Sequence, residues 1–345
     1  MYTDLFAIQP YMTLSDYASE EAFYAKLDRL LALTTPYRQY GRGNPAFAVL
    51  PEDLATFLVI AHRTHLIKNS HTIDEAFSAI GKSLGPTLLA TMARYRTWSL
   101  KEAFFTWSAT NVWEMWHRTV IKLAKKYDLT LVAGSGLLPD NRLGLAASSF
   151  KPQSARIYNY SFTVLPSGDV VNETRKVNLV PTQEDVLGLS KGSLEAGTQP
   201  YGWETIPTAT VICYDGFQVP HTRQEPAFTA LLPMLDRQGA RLIAQPSANP
   251  WRWDAPWIFQ DNPQTGRLRR QQWLDEGAMA GLQACHNIEV IVNPQLLLNL
   301  LDVHFDGRSM ILARTPERGV EILAQSRDFV ACQESEEVVH AAWDF

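Results

Sequence analysis

Glu52, Lys176 and Cys213 each stand where an apolar or alternating stretch gives out: Ala46-Phe-Ala-Val-Leu50 ahead of Glu52, Val170 to Lys176, and Thr208 to Cys213. A thiol attacks carbon only as its thiolate, so it needs a cation or a base beside it. An ammonium and a carboxylate are side chains of those two kinds. The carboxyl ends of strands are where α/β proteins commonly gather such groups. Each residue taken singly also has an ordinary reading. Glu52 suits the first turn of a helix, where a carboxylate complements the macrodipole. Lys176 suits a solvated surface, and Cys213 suits a buried site as a small hydrophobe. Type and position leave both readings open.

The elements around them form a repeating order. Asp4 to Gln9 reads as a first strand, and Glu20 to Leu33 as a helix with Phe23, Leu27, Leu30 and Leu31 on one face. Ala46 to Leu50 is a continuous apolar run suited to a strand buried on both faces. Leu54 to Leu66 is read as the beginning of a helix. A helix over Asn111 to Tyr127 carries Trp113, Trp116, Val120 and Leu123, and Leu129 to Gly134 is a strand. Ala155 to Val164 and Val170 to Lys176 alternate as a hairpin across Pro166-Ser-Gly-Asp169. Strands follow at Thr208 to Cys213, Arg241 to Gln245, Ile288 to Asn293, Ser309 to Leu312, Glu321 to Gln325 and Val338 to Trp343. Helices are expected over Pro226 to Leu235 and Gln271 to His286. Alternating helices and strands with hairpins among them predict an α/β fold with mixed sheets. With no repeat and no linker, residues 1–345 read as one large domain.

Three segments occur in a telling order: Val49-Leu-Pro-Glu52-Asp53, Arg175-Lys176-Val-Asn-Leu-Val-Pro181 and Val211-Ile-Cys213-Tyr-Asp215. They resemble the signature segments of the nitrilase superfamily of carbon–nitrogen hydrolases. Ile157-Tyr-Asn159-Tyr-Ser161, Gln245-Pro-Ser247-Ala248, Ala284-Cys-His-Asn287 through Asn293, Phe305-Asp-Gly307-Arg-Ser309 and Val338 to Asp344 resemble further family segments, so the likeness spans nearly the whole chain. It implies a four-layer α-β-β-α sandwich with two mixed sheets. It also implies a triad with Glu52 as general base, Lys176 as transition-state stabiliser and Cys213 as nucleophile. Glu184, eight positions beyond Lys176, matches a further family carboxylate that orients the lysine and the substrate.

These types fit hydrolysis through a thioester. Glu52 takes the thiol proton, and the Lys176 ammonium and the Tyr214 backbone N–H are the candidate donors to the oxyanion. Glu52 then protonates the leaving amine and activates water. Ser247 and Trp251, at and just beyond the strand end near Gln245, are candidate substrate-binding residues, Trp251 as an aromatic wall. Tyr214-Asp215 after the nucleophile resembles the amidases of the superfamily, whereas nitrilases proper tend to carry Trp-Glu. An amide or carbamoyl substrate is therefore expected first and a nitrile second. Family members use no cofactor or metal and pair into homodimers or larger assemblies.

The chain also departs from the family. Gly216-Phe-Gln-Val-Pro220-His221 lacks the Glu that often follows Cys-Tyr-Asp, and the stretch between Glu52 and Gly134 is longer than usual. Residues from about Ile67 to Thr110, rich in large apolar side chains, are expected to form a helical insertion near the pocket mouth or a subunit interface.

Composition narrows the classes. Hydrophobic residues make up 46% and charged residues 19%, with a formal net charge of -5. That suits a globular chain, and no basic run tracks a nucleic-acid backbone. The start of the chain lacks a secretory signal, and no stretch approaches the roughly 20 apolar residues of a membrane span. The expectation is a cytoplasmic protein with a small-molecule substrate, no nucleic acid and no membrane. The absence of such helices also argues against the membrane-bound N-acyltransferases of the same superfamily. Three cysteines do not make a disulfide framework, and Cys285 reads as a packing residue. His62 and His65 lack a third metal ligand. The rival from outside enzymes, a catalytically dead binding protein on the same fold, sits poorly with an intact Glu52, Lys176, Glu184 and Cys213.

Overall fold

The computed structural model describes residues 1–40, 43–144, 147–184, 187–259, 266–315 and 318–345. Two large mixed sheets lie at its centre. The first has seven strands, in the order Glu337–Asp344, Tyr2–Gln9, Ala46–Val49, Thr130–Val132, Pro152–Val164 and Gly136–Asn141, with Val170–Arg175 also paired to Pro152–Val164. The second has six: Gly319–Gln325, Met310–Thr315, Val290–Asn293, Leu242–Ala244, Ile206–Thr210 and Tyr201–Trp203. In each sheet the middle strands run parallel and the outer ones antiparallel.

The period of two along each strand sorts side chains into layers. Leu5, Ala7, Phe47, Val49 and Val132 of the first sheet meet Leu242, Ala244, Val290, Val292 and Ile311 of the second in one buried cluster. The alternate residues Phe6, Ile8, Ala48 and Leu131 face the helices Glu20–Ala32 and Leu100–Tyr127, where Leu27, Leu30, Trp113 and Trp116 are fully buried. On the far side Ala209, Ile243, Ile291 and Leu312 pack on Leu232, Leu235, Trp273 and Leu282. The layers are helix, sheet, sheet, helix, the sandwich expected from the resemblance.

Some elements differ from the sequence reading. A third, four-stranded sheet joins Ser247–Ala248, Gln295–Leu300, Val303–Phe305 and Tyr11–Met12. Leu54 to Leu66 forms two 3-10 turns, Thr56–Ile60 and Thr64–Leu66, in place of a helix. Asp53 and His62 have positive φ there, and the N–H groups of Ala55 and His62 donate to Ser135 and Ala18. Pro226 to Leu235 yields a helix only over Leu232–Arg237; ahead of it the Thr229 N–H donates to the Asn178 side chain. Gln271 to His286 is two helices, Arg269–Glu276 and Ala278–Gln283. The break falls at Gly277, where an added Cβ would lie 2.4 Å from the Trp273 carbonyl oxygen.

The stretch Ile67 to Thr110 carries the helix Ile73–Tyr95 and the first part of Leu100–Tyr127. Thr72 and Ser99 cap their N-termini, their hydroxyls accepting from the Glu75 and Glu102 N–H groups, and each helix ends at a left-handed residue, Arg96 or Asp128. The second helix therefore begins at Leu100, ahead of the expected Asn111. Among the described residues no helix is long and apolar enough to cross a membrane.

Candidate active site

Three chain segments deliver the charged residues to one place. The strand Ala46–Val49 ends, and Leu50 donates to the Val132 carbonyl, so Pro51 and Glu52 leave the sheet beside Gly134. Gly134 has φ +74, and a Cβ there would stand 2.3 Å from the Pro51 oxygen, so only glycine lets the two segments approach this closely. Lys176 follows the strand Val170–Arg175, its N–H donating to the Asn159 carbonyl at 2.9 Å. Glu184 closes a turn in which its N–H donates to the Val180 carbonyl.

Lys176 Nζ lies 2.7 Å from Glu52 Oε1 and 2.6 Å from Glu184 Oε2. Asn159 Nδ2 donates to the same two carboxylates, at 2.9 Å to Glu52 Oε1 and 3.1 Å to Glu184 Oε1. The remaining oxygen of Glu52 accepts the Ala248 N–H at 3.0 Å, and Glu184 Oε2 accepts the Val180 N–H at 2.8 Å. One ammonium between two buried carboxylates leaves an excess of negative charge, and the titration behaviour follows from it. Burial raises the Glu52 carboxyl, Lys176 opposes and Glu184 adds to the rise, giving about 8. Burial alone would lower Lys176, but Glu184 and Glu52 outweigh it and hold the ammonium well above its usual value. The site thus contains a fixed cation and a carboxyl group able to carry a proton near neutral pH.

Cys213 lies three residues past the strand Ile206–Thr210, at the start of a 3-10 turn, Cys213–Gly216. Its φ is +49, a left-handed conformation that costs a non-glycine residue roughly 1–3 kcal/mol and often accompanies function. The surroundings hold it there: its N–H donates to Pro246, and its carbonyl accepts from Gln245 Nε2 at 2.9 Å. A Cβ on Gly216 would strike that same amide nitrogen at 2.1 Å, so this position also excludes a side chain. Cys213 Sγ donates to the Ala248 carbonyl at 3.5 Å. Burial pushes its thiol well up, the Glu52 charge adds to this and Lys176 opposes it. The resting group is the thiol.

Asp215, two residues on, is buried and accepts from the N–H groups of Val177 and Asn178, the latter at 2.7 Å. It ties the cysteine turn to the lysine loop, and burial raises its carboxyl to about 7.

A cavity of about 420 Å³ opens on Glu52, Lys176, Glu184 and Ala248. Cys213 is not among its lining residues, but its Sγ reaches the Ala248 carbonyl, and Ala248 lines the cavity. Tyr214 enters the expectation through its backbone N–H; its hydroxyl donates to Glu225 and accepts the His221 N–H, so the side chain turns away from the carboxylates. Ser247 and Trp251, also expected at the pocket, are placed elsewhere. Ser247 is buried, its hydroxyl donating to the Gln245 carbonyl and accepting from Asn293. Trp251 packs against Trp257 and over the Arg269 guanidinium instead of walling the cavity. The wall is formed instead by Ile73, Phe77, Ile80, Phe104 and Phe105 from the two long helices.

Asn159, Asp215, Ala248 and Arg269 were not singled out from their types. Arg269 is 2% exposed, its guanidinium 4.3 Å from the Trp257 ring centre, 4.8 Å from Trp251 and 4.9 Å from Trp273. Its Nε donates to Asn249 Oδ1 at 2.8 Å and so steadies the residue next to Ala248. Burial lowers it to about 9, with the nearby Glu276 charge opposing.

No family model matches the sequence, and no curated protein matches it. Solved structures do match. Saccharomyces cerevisiae Nit3, a member of branch 10 of the nitrilase superfamily, has 17% identity and a TM-score of 0.54 over 99% of this chain and 90% of its own. A carbon–nitrogen hydrolase from Helicobacter pylori G27 has 15% identity and a TM-score of 0.54 over 99% of this chain and 88% of its own. A mutant of the amidase from Nesterenkonia sp. AN1, carrying the acetamide moiety of fluoroacetamide at its active site cysteine, has 11% identity and a TM-score of 0.51 over 99% of this chain and 90% of its own. At such identities the likeness is one of fold, and the fold is that of the nitrilase superfamily.

Proposed function

We propose that this chain, with its nitrilase-superfamily fold, hydrolyses a non-peptide C–N bond of a small amide or carbamoyl compound through a Cys213 thioester. The observation that carries the proposal is the Lys176 ammonium held 2.7 Å from Glu52 and 2.6 Å from Glu184, with Glu52 and Cys213 joined through Ala248. The catalytic activity of relatives of this fold is consistent with it, since a cysteine of the Nesterenkonia amidase is covalently modified.

Glu52 takes the Cys213 proton as Sγ attacks the carbonyl carbon. Lys176 and the Tyr214 backbone N–H stabilise the oxyanion. The intermediate collapses to the thioester as the C–N bond breaks, and Glu52 passes its proton to the departing amine. Water, deprotonated by Glu52, then releases the acid and restores the thiol. Glu184 holds Lys176 and accepts from the amine through a charge-assisted hydrogen bond. The chemistry uses no cofactor or metal. A cytoplasmic homodimer or larger homo-oligomer is the proposed working state.

Tyr214-Asp215 favours the amide over the nitrile, because an amide must expel an amine and needs an aligned proton donor. The test is one acyl group presented as its primary amide and as its nitrile. A higher kcat/KM for the amide is expected, and a clearly higher value for the nitrile would overturn the choice.

A further inference from the structure

The cavity beside Lys176 is unlike a site for a small polar amide. Apart from Glu52, Lys176 and Glu184, its polar lining residues are mostly engaged. The Thr56 hydroxyl donates to Asp53 at 2.7 Å, and the Asp302 carboxylate accepts the Ile73 N–H at 2.7 Å. Asp53 itself and Gln183 are the other polar residues among the lining residues described. The rest of the wall is apolar, led by Ile73, Phe77, Ile80, Phe104 and Phe105. Phe77 packs edge-on against Phe104 and Phe105, with ring centres 5.1 and 6.1 Å away, so these side chains form one rigid surface. Leu300, Val303 and Phe305 approach from the third sheet. At about 420 Å³ the cavity is of the size that takes a whole small ligand, roughly 300–1,000 Å³.

We infer that this cavity binds the acyl side of the substrate, and that the substrate is an amide whose carbonyl carbon bears a large, uncharged apolar group, a medium-length alkyl chain or an aryl-alkyl group. The inference rests on the hydrolase reading above and names its substrate class. Charge excludes the main alternative. Lys176 is the cation among the lining residues described, and it is held between two carboxylates. A terminal carboxylate on the substrate would meet no free counter-charge and would lose its hydration.

The acyl side is favoured over the amine side because the amine leaves after the first half-reaction. The acyl group must stay placed while water attacks the thioester, and binding energy from a remote group serves catalysis only if it lasts through both steps. The residues that the two long helices give to this wall, Ile73, Ala76, Phe77, Ile80, Phe104 and Phe105, all fall within the stretch about Ile67 to Thr110, so the additional residues there would act as a specificity element.

The experiment has two arms. In the first, kcat/KM is measured for straight-chain primary amides from acetamide to octanamide, with N-octylacetamide and adipamic acid (a carboxylate-ended amide) as controls. The expected rise is about fourfold per methylene until the cavity is full, which corresponds to about 0.8 kcal/mol per buried CH₂. N-Octylacetamide and adipamic acid should fall well below octanamide. Ala76→Trp, which puts bulk into the cavity wall, should lower the octanamide-to-acetamide ratio by roughly tenfold or more. In the second arm, calorimetry measures binding of octanamide and acetamide to the Cys213→Ala protein, which needs no turnover. Tight octanamide binding with no measurable acetamide binding supports the inference, even if no amide is turned over and the hydrolase reading falls. A flat chain-length profile with amide turnover intact overturns the inference and leaves the hydrolase reading standing. Absence of octanamide binding in the second arm also overturns it.

Discussion

Glu52 and Cys213 are anchored to the same residue: the Ala248 N–H donates to Glu52 Oε2 at 3.0 Å, and the Ala248 carbonyl accepts from Cys213 Sγ at 3.5 Å. The thiol and the carboxylate thus have their relative positions set by one residue of backbone, which no side-chain substitution at Ala248 would remove. Arg269 supports that backbone from behind through Asn249.

Cys213→Ala should abolish amide turnover, with a loss of many powers of ten, as for removal of a covalent nucleophile. The melting temperature should stay near that of the wild type, since the thiol makes one long hydrogen bond. Rates and thermal melts of the purified proteins decide this, and substantial residual turnover would refute the assignment.

Lys176→Met should remove activity and destabilise the fold by about 3–5 kcal/mol at pH 8, because it leaves Glu52 and Glu184 facing each other without their cation. The destabilisation should shrink at acid pH, where Glu52 takes up its proton. Denaturant titrations at the two pH values measure it, and a loss independent of pH would speak against the charge argument.

Glu52 carries a stability signature of its own. Its folded value of about 8 is above the ordinary carboxylate range, so between about pH 4.5 and 8 the folded state holds a proton that the unfolded chain has released. Stability from this group is complete below about 4.5 and is lost as the pH rises through about 8. Asp215, at about 7, acts in the same direction. Glu52→Gln should flatten the decline of stability with pH and leave the variant more stable than the wild type at pH 9. A variant with an unchanged pH slope would show that Glu52 ionises normally.

The sequence carried the positions of Glu52, Lys176, Glu184 and Cys213 because their neighbours are strand-like apolar runs in a recognisable order. The two mixed sheets were legible, but the order of strands within them was not. Ala248 acts through its backbone, so its type says nothing of its role. Asn159 is one polar residue in an alternating strand, and only the fold shows its amide reaching both Glu52 and Glu184. The cavity wall was hidden for a related reason: Phe77, Phe105 and Phe305 are far apart in the chain and meet only after the helices dock on the third sheet. Trp251 is close to Gln245 in sequence, yet in the fold its ring stacks on the Arg269 cation.

Asn159→Ala should lower kcat by roughly 10- to 150-fold, the worth of about 1.5–3 kcal/mol for a hydrogen bond to a charged group. Labelling of Cys213 by iodoacetamide should persist, which separates misplacement of the carboxylates from collapse of the site. Unchanged kcat would mean that the amide only fills space.

Hydrolysis through a thioester requires a covalent acyl intermediate on Cys213, which mass spectrometry of protein acid-quenched during turnover of an amide, followed by peptide mapping, detects directly. An added acyl mass is expected on the Cys213 peptide; it should disappear when substrate is exhausted and be absent from Cys213→Ala. Turnover without any adduct, or an adduct carried by Cys285 or Cys332, would contradict it.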